Sequence, residues 1–213
     1  MPSRSQGRSS RILPRPDLRS VFLNVPFDEQ YGDLFVALIA GLVCLGRKPR
    51  CVLEIESSGR SRLERIFGLL AGCGASIHEM SRVQLSGPLN VPRFNMPFEL
   101  GIAYALSRRR QHAFFLFEEV AHRIEHSLND LNGHEPLIHG GSPAGVLGCV
   151  LDCFETPRRP PSLKDLLSVY EELAEVVYGL QQDRKQPDPF RRQIFRSTVE
   201  AAAVLAKAHG HIR

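Results

Sequence analysis

The sequence contains no apolar run approaching the roughly 18 residues that span a bilayer, which argues against a helical membrane protein. Its N-terminus is rich in Arg and Ser but lacks the apolar core of a signal peptide, so secretion is not expected. There is no Cys-x-x-Cys pair and no internal repeat. The cysteines are scattered and odd in number (Cys44, Cys51, Cys73, Cys149, Cys153). Reduced, mostly buried thiols of a cytoplasmic protein are the plain reading. The body of the chain also lacks a charge imbalance. Residues 1–19 hold five arginines against Asp17 and carry the whole net charge of +4, leaving 22 basic and 22 acidic residues elsewhere. A body without a basic excess does not point to nucleic acid as the partner, although a local basic patch stays open. Residues 1–19 read as a disordered basic leader.

What is present is an ordinary globular composition. The 213 residues are 43% hydrophobic and 23% charged, enough for one core and an appendage. Residues 20–25 (SVFLNV) are β-prone and end at Pro26, reading as a first strand. Asp28 is placed to cap a helix in which Tyr31, Leu34, Phe35, Leu38, Ile39 and Leu42 recur at helical spacing up to Gly46. A second strand is expected at 50–55, followed by a helix with Leu63, Ile66, Phe67 and Leu70 on one stripe, ending near Gly72 or Gly74. A third strand at 75–80 leads through a loop at 81–95 to a helix at about 97–107. Residues 112–117 (HAFFLF) form a fourth strand, apolar enough to be buried on both faces as in a helix-covered parallel sheet. Helices are expected at 121–131 and 143–154. After a linker around Pro160-Pro161, helical patterns at 163–182 and 189–208 suggest an antiparallel hairpin packed on the sheet domain or on a second subunit.

The most informative stretch is 93–106 (RFNMPFELGIAYAL). Asn95 reads as an N-cap, Pro97 suits the first turn, and Glu99 falls where a helix dipole favours a carboxylate. Leu100, Ala103 and Tyr104 can pack, and Gly101 permits close approach of another backbone. This helix should begin at the carboxyl edge of the sheet, where open α/β folds bind ligands. The first strand's exit, Asn24-Val25-Pro26-Phe27-Asp28, opens onto that edge, and His78-Glu79-Met80-Ser81-Arg82 adds polar groups to the rim.

Those two segments, FLNVPFD and FELGIAYAL, with the strand HAFFLF after them, resemble the nucleoside 2-deoxyribosyltransferase superfamily, which is structurally akin to TIR-type domains. The resemblance covers roughly residues 20–118. It implies an open doubly wound parallel sheet, a flavodoxin/TIR-like three-layer α/β/α domain over 20–155, with a C-terminal helical hairpin at 162–208. In the transferases a Glu in the pattern E-x-G-x-A-x-A attacks the sugar's anomeric carbon; Glu99 takes that place, with Gly101, Ala103 and Ala105 matching. TIR-type NAD-cleaving enzymes likewise use a helix-borne Glu at the corresponding edge. The transferases carry an acidic residue and Gly-Thr before the Glu, where this chain has Arg93, Phe94, Asn95 and Met96, which points away from deoxyribonucleoside exchange.

The expected function is cleavage of a nucleotide N-glycosidic bond, with NAD favoured as substrate and Glu99 as the catalytic carboxylate. A carboxylate near the anomeric carbon stabilises an oxocarbenium-like transition state as ion-pair partner or nucleophile, and no metal or resident cofactor is needed. Phe27 would stack on the base or staple the first helix, Asp28 or Asn95 would hold ribose hydroxyls, Ser81 would line the rim, and Arg82 and Arg93 would take phosphate. A non-catalytic nucleotide-binding signalling module and a TIR-like assembly protein are the alternatives. Bacterial defence or stress signalling is what the resemblance implies for the setting. The expected partners are a nucleotide and further copies of the chain, with no membrane. Three other patterns carry less. His122-Arg123-Ile124-Glu125-His126 has the spacing of some zinc peptidases without a third ligand, Cys149 and Cys153 sit one helical turn apart, and Gly140-Gly141-Ser142-Pro143 reads as a turn with an N-cap at Ser142.

Overall fold

The computed structural model describes residues 15–55, 61–82, 85–86, 91–92, 94–109, 111–123, 128–131, 133–154, 160–183 and 188–213. In chain order the strands are β1 (Asp17–Asn24), β2 (Lys48–Cys51), β3 (Cys73–Glu79), β4 (Leu85–Ser86), β5 (Val91–Pro92), β6 (Ala113–Glu118) and β7 (Leu137–Ile138). The helices are α1 (Gly32–Cys44), α2 (Arg62–Gly72), α3 (Asn95–Ser107), α4 (Pro143–Cys153), α5 (Leu163–Asp183) and α6 (Arg192–Ala208). Five strands form one sheet in the order β2-β1-β3-β6-β7, and every pairing in it is parallel. β4 and β5 form a separate antiparallel pair. This is an open, doubly wound α/β sheet. Its strand order reverses direction between β1 and β3, the crevice where such sheets take ligands.

Strand alternation divides the core. Val21, Leu23, Ala75, Ile77 and Phe117 face α1 and α4. Phe22 faces α2 and α3 with Ile66, Leu70, Ala103 and Leu106, beside a second group of Met80, Met96, Leu100 and Leu116. Helix α1 is apolar all round, and twelve of its thirteen residues are buried. Such a helix needs cover on every side. The sheet and α4 supply part of it and the C-terminal hairpin supplies the rest, since α1 packs against both α5 and α6. Leu166, Val169, Leu173 and Val177 of α5 join Ile194, Phe195, Ala202 and Ala206 of α6 in the same apolar cluster as Leu34, Phe35 and Leu38. The hairpin is thus a fourth layer over α1, packed in cis. Helix α1 ends in a Schellman motif, with Gly46 at φ 68° and the N–H groups of Gly46 and Arg47 donating to Val43 and Leu42. Among the described residues, no helix is long and apolar enough to cross a membrane.

Several boundaries differ from expectation. The second strand stops at Cys51 because Glu54 folds back: its carboxylate accepts the Cys51 N–H (3.0 Å) and both its oxygens take Arg50 Nε, winding Val52–Glu54 into a 3-10 turn. On α2 the buried face is Ile66, Leu70 and Ala71, while Leu63 and Phe67 remain 48% and 36% exposed. Gly101 is exposed, and an added Cβ would meet nothing within 4 Å among the described residues, so it serves no close backbone approach there. The two-residue β7 has no counterpart in the expected elements. Of the helix expected at 121–131, residues 124–127 lie outside the described residues and Asn129–Leu131 form one 3-10 turn. Within the expected leader, Asp17–Arg19 belong to β1, and residues 1–14 lie outside the described residues.

Candidate functional site

At the crevice between β1 and β3 lies a cavity of about 500 Å³, lined by Leu23, Asn24, Val25, Pro26, Phe27, Val52, Arg62, Phe94, Asn95, Met96 and Glu99. Its floor is the end of β1, where Pro26 has no N–H to continue a ladder and the chain turns out of the sheet. One wall comes from the 3-10 turn after β2 and the first residue of α2, the other from the start of α3. Phe27, Asn95 and Glu99 therefore meet in one hollow.

Helix α3 begins one step earlier than its sequence suggests. Phe94 is the N-cap residue without a side-chain cap, and Asn95 is the first helical residue. Glu99 then stands beyond the first turn, where the helix dipole has faded, so a dipole role does not account for it. Its side chain is 8% exposed. Burial pushes its titration up to about 7, and the Arg62 guanidinium offsets part of that rise. A carboxyl poised near neutrality in a ligand-sized hollow is the arrangement that general acid–base and ion-pair chemistry use.

Phe27 is half-buried, lines the cavity and packs at 5.3 Å (ring centroids) on Phe190, which also packs at 5.2 Å on Phe35 of α1. The hairpin segment thereby holds the aromatic wall in place. Asp28 caps the 3-10 turn Glu29–Tyr31, its carboxylate accepting the Tyr31 N–H at 3.2 Å, and it is not among the cavity's lining residues. Arg82 donates to Gln30 Oε1 at 2.6 Å, also away from the lining. Arg93 lies outside the described residues.

Ser81 belongs to a buried cluster on the α1 side of the sheet. Its N–H donates to Glu79 Oε1 at 2.9 Å, its hydroxyl donates to the same oxygen, and it accepts the Glu119 N–H at 2.6 Å. Tyr31 Oη donates to Glu79 Oε2 at 3.1 Å, and burial beside that carboxylate raises the phenol well above its ordinary range. His139 Nδ1 accepts the Gly141 N–H at 3.1 Å, which leaves the ring proton on Nε2, 2.9 Å from Glu79 Oε2 though not aligned as a hydrogen bond. The loop before α4 approaches closely here: a Cβ on Gly145 would lie 1.9 Å from the His139 carbonyl oxygen. This cluster ties β3, α1 and the β7–α4 loop together.

On the α3 side of the sheet a second buried chain reaches the cavity floor. Asn24 Nδ2 donates to the Met96 carbonyl and pairs with His78 Nδ1, both at 2.9 Å. His78 Nε2 meets Ser76 Oγ and Ser76 Oγ meets His112 Nε2, each at 2.9 Å, and His112 Nδ1 lies 3.0 Å from the Cys73 carbonyl. Burial, with His112 nearby, pushes His78 down to about 3, so it is neutral.

Sequence reasoning passed over Asn24, Val52, Arg62 and Phe94. The signal for Asn24 was a lone amide closing an apolar strand at the ligand edge. For Arg62 it was the position just after the Ser61 cap of a helix that begins at the same edge. Of the remaining patterns, the cysteine pair and the Gly140–Pro143 turn have structural explanations. All five cysteines are free; burial raises Cys44, Cys51 and Cys73 to about 12, Cys149 to about 11, and Cys153 higher still. Residues 124–126 of the His122 motif lie outside the described residues, and among the described residues no His, Cys, Asp or Glu group has metal-binding geometry. Ser142 caps α4, accepting the Gly145 N–H at 3.1 Å. No family model, curated protein or solved structure matches this chain.

Proposed function

We propose that the cavity binds a nucleotide and that Glu99 assists cleavage of its N-glycosidic bond, with NAD the favoured substrate. The observation that carries this reading is the buried carboxyl of Glu99, close to neutrality in its titration, lining a cavity at the switch point of a parallel sheet. As the bond to the base lengthens, positive charge develops on the sugar. An ionised Glu99 stabilises that charge or traps the anomeric carbon, and water completes the hydrolysis. NAD suits a carboxyl of raised titration: its cationic nicotinamide ring favours the ionised form and departs as a neutral base. Phe27 offers a face to a base and Arg62 a guanidinium to phosphate. The resemblance of residues 99–105 to the transferase pattern supports the same role for Glu99, and with it a setting in bacterial defence or stress signalling.

The raised titration also favours a second reading. A protonated Glu99 donates a hydrogen bond and stabilises no cation, which suits a binding module that signals without turnover. Incubating the protein with NAD and a panel of nucleosides and nucleotides separates the two. Released base that falls by about 10²-fold or more in Glu99→Gln, with affinity changed only modestly, supports cleavage. Bound ligand recovered intact from both proteins supports the module. Base release unchanged by the substitution refutes the role given to Glu99.

A further inference from the structure

The buried chain beneath the cavity has one consistent proton order, fixed from both ends. A carbonyl oxygen only accepts, so the Asn24 atom facing Met96 O must be the amide nitrogen. That nitrogen's second proton goes to His78 Nδ1, which places the His78 proton on Nε2, donating to Ser76 Oγ. At the other end the Cys73 carbonyl requires a proton on His112 Nδ1, leaving Nε2 to accept the Ser76 hydroxyl proton. The two derivations meet at Ser76 without conflict. Both Asn24 N–H groups are thereby used inside the protein, and the amide oxygen is the polar atom Asn24 offers to the cavity it lines.

Beside this floor a second hollow of about 350 Å³ is lined by Leu53, Ile55, Arg65 and Ile66, and it shares Phe27, Val52 and Arg62 with the first. The composite site has apolar walls for a flat ring, a fixed acceptor on its floor, Arg62 at the junction and Arg65 in the second hollow. Resting on the nucleotide reading above, we propose that Asn24 is a specificity residue whose amide oxygen accepts a sugar hydroxyl, so that the site selects ribonucleotides over a deoxy counterpart. An amide whose two N–H groups are held by Met96 O and His78 Nδ1 cannot rotate to present them instead, and a missing hydroxyl leaves its oxygen unpaired.

The test is titration calorimetry of the intact protein with adenosine 5′-monophosphate and its 2′-deoxy and 3′-deoxy forms. The ribonucleotide is expected to bind about tenfold or more tightly than at least one deoxy form. In Asn24→Ala, checked for native melting, that gap is expected to shrink below about threefold. The comparison on the unmodified protein stands even where the variant fails to fold. Equal affinity for all three probes, binding of none of them, or discrimination undiminished in a folded Asn24→Ala overturns the proposal. Hydroxyl discrimination in binding without base release leaves Asn24's role intact and removes only the cleavage reading.

Discussion

At the scale of single residues, two buried titratable groups give the protein opposite pH sensitivities. Glu99 titrates at about 7 in the fold against 4.5 as a free side chain, so the folded state holds its proton more tightly. Its contribution to stability is complete below about 4.5 and is lost as pH rises through 7. Glu99→Gln removes that loss, and is expected to raise Tm by about 2–5 °C at pH 8.5 while leaving it nearly unchanged at pH 4. A melting temperature that falls at pH 8.5 would show that the carboxylate is held by interactions rather than penalised by burial. His78 runs the other way, at about 3 in the fold against 6.5 free, so stability is lost as pH falls from 6.5 towards 3. Long-range nitrogen–proton NMR at pH 5 is expected to find His78 neutral with its proton on Nε2. A charged His78 at that pH would break the proton order on which the orientation of Asn24 depends.

At the scale of elements, the hydrophobic patterns located most of the helices and strands but blurred their ends. Helix α1 was legible because its apolar positions repeat through three turns, and HAFFLF because few helices read that way. The end of β2 was hidden because it rests on Glu54 reaching back three residues to the Cys51 N–H, a polar contact that no periodicity encodes. The two-residue β7 is too short to leave a pattern at all. That Glu99 and Phe27 line one cavity at the sheet edge was legible from type and position. Asp28 and Ser81 lie outside that lining, because a short polar side chain caps a turn or satisfies a buried carboxylate as readily as it faces a cavity. The aromatic stack of Phe27, Phe190 and Phe35 joins segments more than 150 residues apart and was invisible to local reading. Phe190→Ala is expected to cost about 3–5 kcal/mol in denaturant unfolding. It should also weaken nucleotide binding through the loosened Phe27 wall. Loss of stability with affinity unchanged would mean that Phe27 needs no support from the hairpin.

At the scale of the whole molecule, the C-terminal hairpin completes the core. Helix α1 carries apolar residues on the face turned from the sheet, and among the described residues α5, α6 and Phe190 just before α6 cover much of that face. Truncation after Phe154 is therefore expected to expose that face and yield insoluble or self-associating protein, read by sedimentation against the full chain. A truncated protein equally soluble at unchanged mass per chain would contradict the four-layer packing. The same layering places a rigid floor beneath the crevice, since β1 is flanked by β2 and β3 in the sheet and backed by α1. In the proposed function, helix α3 beside this floor presents Glu99 to a nucleotide as a titrating carboxyl whose ionised form acts on the sugar. The most direct measurement is the pH dependence of base release from NAD between pH 5 and 9. The kcat/KM, which reports the free enzyme, is expected to rise through a midpoint near 7 to a plateau, with the rise absent in Glu99→Gln. A rate that is flat across this range, or that shows the same rise in Glu99→Gln, would contradict the claim.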